Sequence, residues 1–403
     1  MALPAPGDFA PPPHAVTRAR WLEADREHRP ARLALLRERL AGEGVDTYFG
    51  AKPEHMRWLT GFVLADGEEK VAGHSGQFLV GADRVTLVSD SRYTVQARRE
   101  ATDVVVDEIG YDLPAAWPRL LVDVGARRVA VEATAVSHAL WERLRAGAPD
   151  VELVPVDGWI EAMRAVKTPD EVERIGAACA VADRALATLL PEIRAGVTEH
   201  DLALRLEWLM RTGGAEALAF DVACLAGPEA ALPHGTPGDR PVRDGAVLLF
   251  DFGAQVEGYR SDMTRTLFVG EPAERDLRVY DLVRRAQQAA IETLEARVLG
   301  GTVPDGRELD AISRGVIDEA RTWPAYGHGL GHGIGLATHE APSLSRSAPE
   351  TPLPSPTVFS VEPGIYLEGE MGVRIEDLVH LDADRGIVEL LTRFPRDVLV
   401  LPA

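Results

Sequence analysis

The fifteen residues from Tyr326 to Glu340 read Tyr-Gly-His-Gly-Leu-Gly-His-Gly-Ile-Gly-Leu-Ala-Thr-His-Glu. Gly327, Gly329, Gly331, Gly333 and Gly335 take every second position. One side of an extended segment is thereby bare backbone, which another group can approach closely. His328, His332 and His339, three of the chain's eleven histidines, project from this stretch. Imidazoles on such a surface suit a metal site or a substrate cleft. A glycine-rich turn with incidental histidines is the competing reading, and only the rest of the chain can separate the two.

The second informative feature is a set of acids placed where strands are expected. Asp is a poor strand former, yet Asp251 ends the apolar run Leu248-Leu-Phe-Asp-Phe-Gly. Asp262 follows eleven residues later, in Ser261-Asp-Met-Thr-Arg-Thr, beyond a turn at Glu257-Gly258. Paired strands bring two such carboxylates to one face, where they repel unless a cation lies between them. Glu362 follows Val358-Phe-Ser-Val, and Glu376 lies in Val373-Arg-Ile-Glu-Asp, again on strands expected to pair. The alternatives are structural. Asp251 would cap its strand, Asp262 would pair with Arg260 or Arg265, and Glu376 would pair with Arg374. Four hard oxygen ligands with one imidazole suit Mn²⁺, Co²⁺ or Zn²⁺. Two bridging and two terminal carboxylates can hold two ions about 3.5–4 Å apart.

At 403 residues the chain is too long for one ordinary core, so two domains are expected. Strands and helices alternate through the first part. Helices are expected over Arg18–Ala41, Ser91–Ala101, Pro114–Val124 and Ser137–Ala146. Strands are expected over Val45–Phe49, Gln77–Val80, Arg84–Val88, Val104–Ile109, Arg128–Glu132 and Val151–Pro155. That alternation predicts a small α/β domain over residues 1–160, with a proline-rich, irregular lead-in over residues 1–14. A new domain then begins over residues 161–403. Thr168, Pro169 and Glu171 form an N-cap signature, and Thr198 opens a further helix. Downstream, Val247–Phe252, Tyr259–Val269, Val358–Leu367 and Gly372–Leu381 read as strands. Leu277–Arg297 and Arg307–Ala320 read as helices, and Ala341–Pro356 reads as a loop.

The net charge of −20 argues against a nucleic-acid partner. No run of 18 apolar residues and no signal peptide are expected, so no membrane association is expected either. Cys179 and Cys224 form no framework or CxxC pair, which fits a reducing, cytoplasmic location.

The motifs from about residue 168 to 403 resemble those of the prolidase, aminopeptidase P and methionine aminopeptidase family. They are Leu232-Pro-His-Gly, Leu249-Phe-Asp-Phe-Gly, Ser261-Asp-Met-Thr-Arg-Thr, Gly327-His-Gly-Leu-Gly-His-Gly-Ile-Gly, Thr338-His-Glu, Val361-Glu-Pro-Gly-Ile-Tyr and Arg374-Ile-Glu-Asp. Met56-Arg-Trp-Leu-Thr-Gly-Phe and Asp90-Ser-Arg-Tyr resemble the accessory domain of prolidases and aminopeptidases P. The resemblance implies an α/β N-terminal domain plus an α+β "pita-bread" (creatinase/aminopeptidase-like) catalytic domain. It implies two divalent metal ions, Mn²⁺ first and Co²⁺ or Zn²⁺ as alternatives. Their ligands would be Asp251, Asp262, His332, Glu362 and Glu376, with Asp262 and Glu376 bridging. Spacing alone does not choose between His328 and His332. The resemblance makes His332 the ligand and His328 its non-ligating neighbour. It assigns catalytic or substrate-holding roles to His234, His328, His339, Glu362, Tyr366 and Arg374. Two departures, Ala219-Phe-Asp221 and Leu225-Ala-Gly227, touch the walls of the expected pocket.

The activity implied by the resemblance is that of an exopeptidase hydrolysing the bond between an N-terminal residue and proline. Xaa-Pro dipeptides are the favoured substrates, and longer Xaa-Pro peptides, as for an aminopeptidase P, are the alternative. A metal-free creatinase-like enzyme or a non-enzymatic binding protein on this fold would be expected to lack ligands, and all five are present. The preference for dipeptides needs a cation near the proline subsite, for which Arg374 and His234 are candidates. A homodimer through the N-terminal domain is also expected. The glycine-containing loop Gly61–Gly76, with His74, is expected either to close the partner's cleft behind proline or to be a solvated connection.

Overall fold

The computed structural model describes residues 3–64 and 75–403. Most of the Gly61–Gly76 loop, His74 included, lies outside the described residues. The chain divides into two compact units. One is residues 16–163, and the other is residues 1–15 with 164–403.

The first unit is built on a six-stranded sheet. Its spatial order is Val105–Glu108, Val85–Ser89, Gln77–Val80, Thr47–Gly50, Arg128–Glu132, Glu152–Val156. Gln77–Val80 runs antiparallel to both neighbours, and the remaining pairs are parallel. Phe49, Leu79, Val129 and Val131 pack on Trp117 and Leu120 of the helix Leu113–Val124. This is the α/β alternation read from the sequence. Helices Pro53–Thr60 and Trp159–Ala165 were not anticipated, because eight and seven residues are too few to show a periodicity.

In the second unit the helix Pro169–Leu189 starts where expected. Thr168 Oγ1 accepts from Glu171 N (3.4 Å), and the Glu171 carboxylate accepts from Thr168 N (2.7 Å). Such a cap is worth about 1 kcal/mol. A four-stranded sheet runs Val400–Leu401, Met263–Val269, Ala246–Phe252, Ala223–Ala226. A five-stranded sheet runs Glu340–Leu344, Gly331–Gly333, Thr357–Val361, Asp377–Asp382, Ile387–Leu390. The long helix Glu274–Leu299 packs Val283, Ala286 and Ile291 into a core shared with Phe268 of the first sheet and Phe359 of the second.

Several expectations need correction. The three long strands containing Asp262, Glu362 and Glu376 are each broken at the acid. Tyr259–Arg260 belongs to a small three-stranded sheet and Met263–Val269 to the four-stranded one. Thr357–Val361 and Asp377–Asp382 lie in the five-stranded sheet, whereas Gly364–Leu367 and Met371–Arg374 pair only with each other. Each acid therefore sits on non-ladder backbone where the chain passes from one sheet to another, which removes the conflict with strand propensity.

The expected loop Ala341–Pro356 begins inside a strand. Glu340–Leu344 is an edge strand, and its pairing with Gly331–Gly333 shifts register after His332. An edge tolerates Pro342, whose missing N–H would interrupt a central ladder. Residues 1–14 are not a free lead-in and do not join the unit they precede. Phe9 stacks on Phe394 (6.2 Å between centroids), and Arg184 Nη1 donates to Pro6 O (3.1 Å). Finally, the close approach expected of the alternating glycines is made by the chain itself. A Cβ on Gly331 would lie 1.8 Å from Ser360 O, and one on Gly333 would lie 2.0 Å from Ala341 O. The glycines let neighbouring strands close around the histidines.

Candidate metal centre

Asp251 lies on Ala246–Phe252, paired to Ala223 on one side and to Thr264 on the other. Asp262 is two residues before Thr264, which brings it diagonally onto the same face as Asp251. Glu376 N donates to Thr264 O (3.1 Å), so the break after Arg374 carries the Glu376 carboxylate to the same spot. On the other sheet, His332 N donates to Ser360 Oγ (3.0 Å), and that hydroxyl donates to Glu362 Oε1 (3.0 Å). Ligand atoms of Asp262, His332 and Glu376 lie within 4.8 Å of one another. His332 Nε2 is 3.3 Å from Glu362 Oε1 and 3.7 Å from Asp262 Oδ2. His328 meets other partners. Its Nε2 is 2.9 Å from the Tyr366 hydroxyl and its Nδ1 is 2.7 Å from Gly329 O.

The three structural alternatives do not describe this site. Arg265 pairs with Asp377 (2.6 Å), Arg260 donates to Ala219 O and Thr338 Oγ1, and Arg374 pairs with Asp251 (2.5 Å). The acids are left with capacity to spare. Asp251 Oδ1 and Glu376 Oε1 are buried and accept no hydrogen bond. Burial drives the Asp262 carboxyl well above the usual range, helped by the carboxylates of Glu376 and Asp251. Glu376 is raised in the same way, by burial and then by Glu362 and Asp251, and burial raises Glu362. Burial also lowers the pKa of His332, which favours the neutral ring. With its Nδ1 directed at Gly333 O (3.1 Å), a neutral ring donates there and turns the Nε2 lone pair toward carboxylates. Lone pair against carboxylate is unfavourable unless a cation lies between. The donor set and its two orphaned oxygens therefore fit divalent metal ions.

Around these acids stands a layer that the sequence reading only partly found. Arg374 donates from Nε to Thr264 Oγ1 (2.8 Å) and from Nη1 to Tyr366 Oη (3.0 Å). Thr264 Oγ1 in turn donates to Glu376 Oε2 (2.8 Å). Burial works against the Arg374 charge, but Tyr366, Asp251, Glu362 and Glu376 hold its pKa well above the ordinary value. Thr264 and Ser360 each lie two residues from an acid of the set, and that spacing was the signal available for them. His339 lies beside His332 (4.1 Å between ring centroids), and His234 is exposed at the rim. Together they line a cleft of about 560 Å³ that also holds all four acids.

The residue after His339 was missed as well. The buried Glu340 carboxylate is paired with Lys167 (2.9 Å to Oε1) and with Arg164. This pairing ties the turn bearing Thr338 and His339 to the segment that leads into the second unit. Glu340→Gln leaves two buried cations without their anion. Metal content should stay constant while kcat falls about 10–100-fold as His339 loses its position. An unaltered kcat would mean that the bond from Thr338 Oγ1 to Ala219 O (3.1 Å) suffices to hold the turn.

Residues 173–383 match the model of metallopeptidase family M24. The chain belongs to metallopeptidase family M24. Residues 32–166 match the creatinase/prolidase N-terminal domain. An M24 chain of this kind has an α/β N-terminal domain followed by the α+β pita-bread catalytic domain, as the two units above show. It is similar to an uncharacterized peptidase of Bacillus subtilis, 30% identical over 370 residues, covering 92% of this chain and 100% of that one. It is 33% identical over 360 residues to an Xaa-Pro dipeptidase of Pyrococcus furiosus, covering 88% of this chain and 95% of that one. Among solved structures, an X-Pro aminopeptidase from Thermotoga maritima superposes with a TM-score of 0.81 at 34% identity, covering 92% of this chain and 99% of that one. Among the described residues of this M24 chain, no helix is long and apolar enough to cross a membrane.

Proposed function

We propose that the protein is a metal-dependent exopeptidase that hydrolyses the bond between an N-terminal residue and proline. The observation that carries this reading is the pair of buried, unsatisfied carboxylate oxygens on Asp251 and Glu376 in the same cleft as His332, whose Nδ1 faces Gly333 O. Asp251, Asp262, His332, Glu362 and Glu376 would hold two divalent ions, Mn²⁺ first, with Co²⁺ or Zn²⁺ as alternatives. Bound ions polarise a carbonyl and make a water acidic enough to serve as nucleophile near neutral pH. The chain's own groups do the remaining work. Glu362 takes the proton of the attacking water and passes it to the proline nitrogen as the C–N bond breaks. His339 donates a hydrogen bond to the carbonyl oxygen as it gains charge. His234 holds the substrate from the rim. His328 and Arg374 fix the Tyr366 hydroxyl from two sides. Support for proline comes from the similarity to an Xaa-Pro dipeptidase and an X-Pro aminopeptidase.

A homodimer through the N-terminal unit and a cytoplasmic location belong to the same proposal. Two buried free cysteines favour the second, and light scattering tests the first. For the activity itself, the Mn²⁺-loaded chain is assayed on Ala-Pro-Ala and Ala-Ala-Ala. Cleavage of the proline peptide alone, lost on chelation, is expected. Equal cleavage of both peptides would reject the proline specificity.

A further inference from the structure

We infer that the cleft carries a hydroxyl-lined subsite for the residue after proline, formed by Ser343 and Ser345, and that its preferred substrates are Xaa-Pro peptides of three or more residues. The inference rests on the Xaa-Pro reading above and sharpens it. Charge is the first consideration. A dipeptide presents a carboxylate directly on its proline, and a carboxylate taken out of water needs a cation. Among the described residues lining the cleft, Arg374 is the one Arg or Lys. It is 4% exposed and already bonded within the site. Its Nη2 meets Asp251, its Nη1 meets Tyr366 and its Nε meets Thr264. The cation on which the sequence-based preference for dipeptides depended is therefore engaged elsewhere. His234, the other candidate, stands exposed at the rim.

A different wall of the cleft has the opposite character. Ser343 and Ser345 line it directly. Ser343 lies opposite His332 across the strand pair, so the serines begin beside the metal-facing ring. Ser343 Oγ is 3.1 Å from Ser345 Oγ, which is 3.2 Å from Ser347 Oγ. Three linked hydroxyls thus lead from the cleft to exposed surface. Neither the exposed Arg346 nor Ser347 lines the cleft itself. A hydroxyl both donates and accepts, so it serves the C=O and the N–H of a peptide bond equally. An amide after proline is matched by such a wall, whereas a terminal carboxylate finds no countercharge there.

The experiment uses the full chain loaded with Mn²⁺ and four substrates, Ala-Pro, Ala-Pro-amide, Ala-Pro-Ala and the proline-free control Ala-Ala-Ala. The amide removes the carboxylate without adding a residue. The expected result is a kcat/KM for Ala-Pro-amide and Ala-Pro-Ala at least about tenfold above that for Ala-Pro. Ser345→Arg should narrow that ratio about tenfold by improving Ala-Pro, at constant metal content. Ser345→Ala, the milder change, should raise KM for Ala-Pro-Ala about two- to tenfold, the effect of one lost hydrogen bond. Ala-Pro cleaved as well as its amide, or a ratio indifferent to Ser345→Arg, overturns the subsite. Cleavage of Ala-Ala-Ala with none of the proline substrates touched would instead overturn the Xaa-Pro reading on which it rests.

Discussion

Asp262→Ala should lose bound metal and peptidase activity together. Asp262 stands at the centre of the site. One of its oxygens lies within reach of both His332 and Glu376, and burial, then the charges of Glu376 and Asp251, lift its pKa. Truncating it removes a ligand proposed to be shared by both ions. The several kcal/mol that metal ions supply to the transition state would go with it, on the order of a 10³-fold loss or more. Apoprotein stability should move the other way or stay level, because a buried like-charge contact is relieved. A variant that keeps its full metal complement would show that Asp262 is not a ligand.

His339→Ala should show a different pattern. The ring sits against His332 on the cleft side, but it is not among the groups whose atoms converge within 4.8 Å. Metal content should be retained, and kcat should fall about 10²-fold if the ring supplies a hydrogen bond to the developing oxyanion. A normal rate on an Xaa-Pro peptide would remove His339 from the mechanism. The contrast between the two variants, metal lost in one and kept in the other, separates ligand from substrate contact without further assumptions.

What the sequence made visible was local or anomalous. The Thr168–Glu171 cap is a four-residue pattern, and it was read correctly because both partners lie inside that pattern. The four acids stood out because carboxylates are out of place in apolar runs. The breaks at those acids were harder to see. Pro363 does announce one of them, since a residue without an N–H cannot sit in the middle of a ladder. Nothing comparable marks the breaks at Asp262 and Glu376, which depend on which sheet each half joins. Choosing between His328 and His332 was equally out of reach from spacing, because both have glycine on either side. Register decides where they point, one to Tyr366 and the other between Asp262 and Glu362. The pairs made by Glu340 with Lys167 and Arg164 span more than 170 residues of chain, and no window contains both ends. The engagement of Arg374 by Asp251 is of the same kind, and the proposed subsite for longer peptides starts from it.

The proposed chemistry depends on the metal centre throughout, and metal stoichiometry tests it most directly. The chain is stripped with chelator, titrated with Mn²⁺ and analysed for bound metal and for hydrolysis of Ala-Pro-Ala at each step. Two ions per chain in the native protein are expected, with activity appearing as the sites fill. Full activity in metal-free protein, or no divalent metal of any kind retained by the native chain, would contradict it.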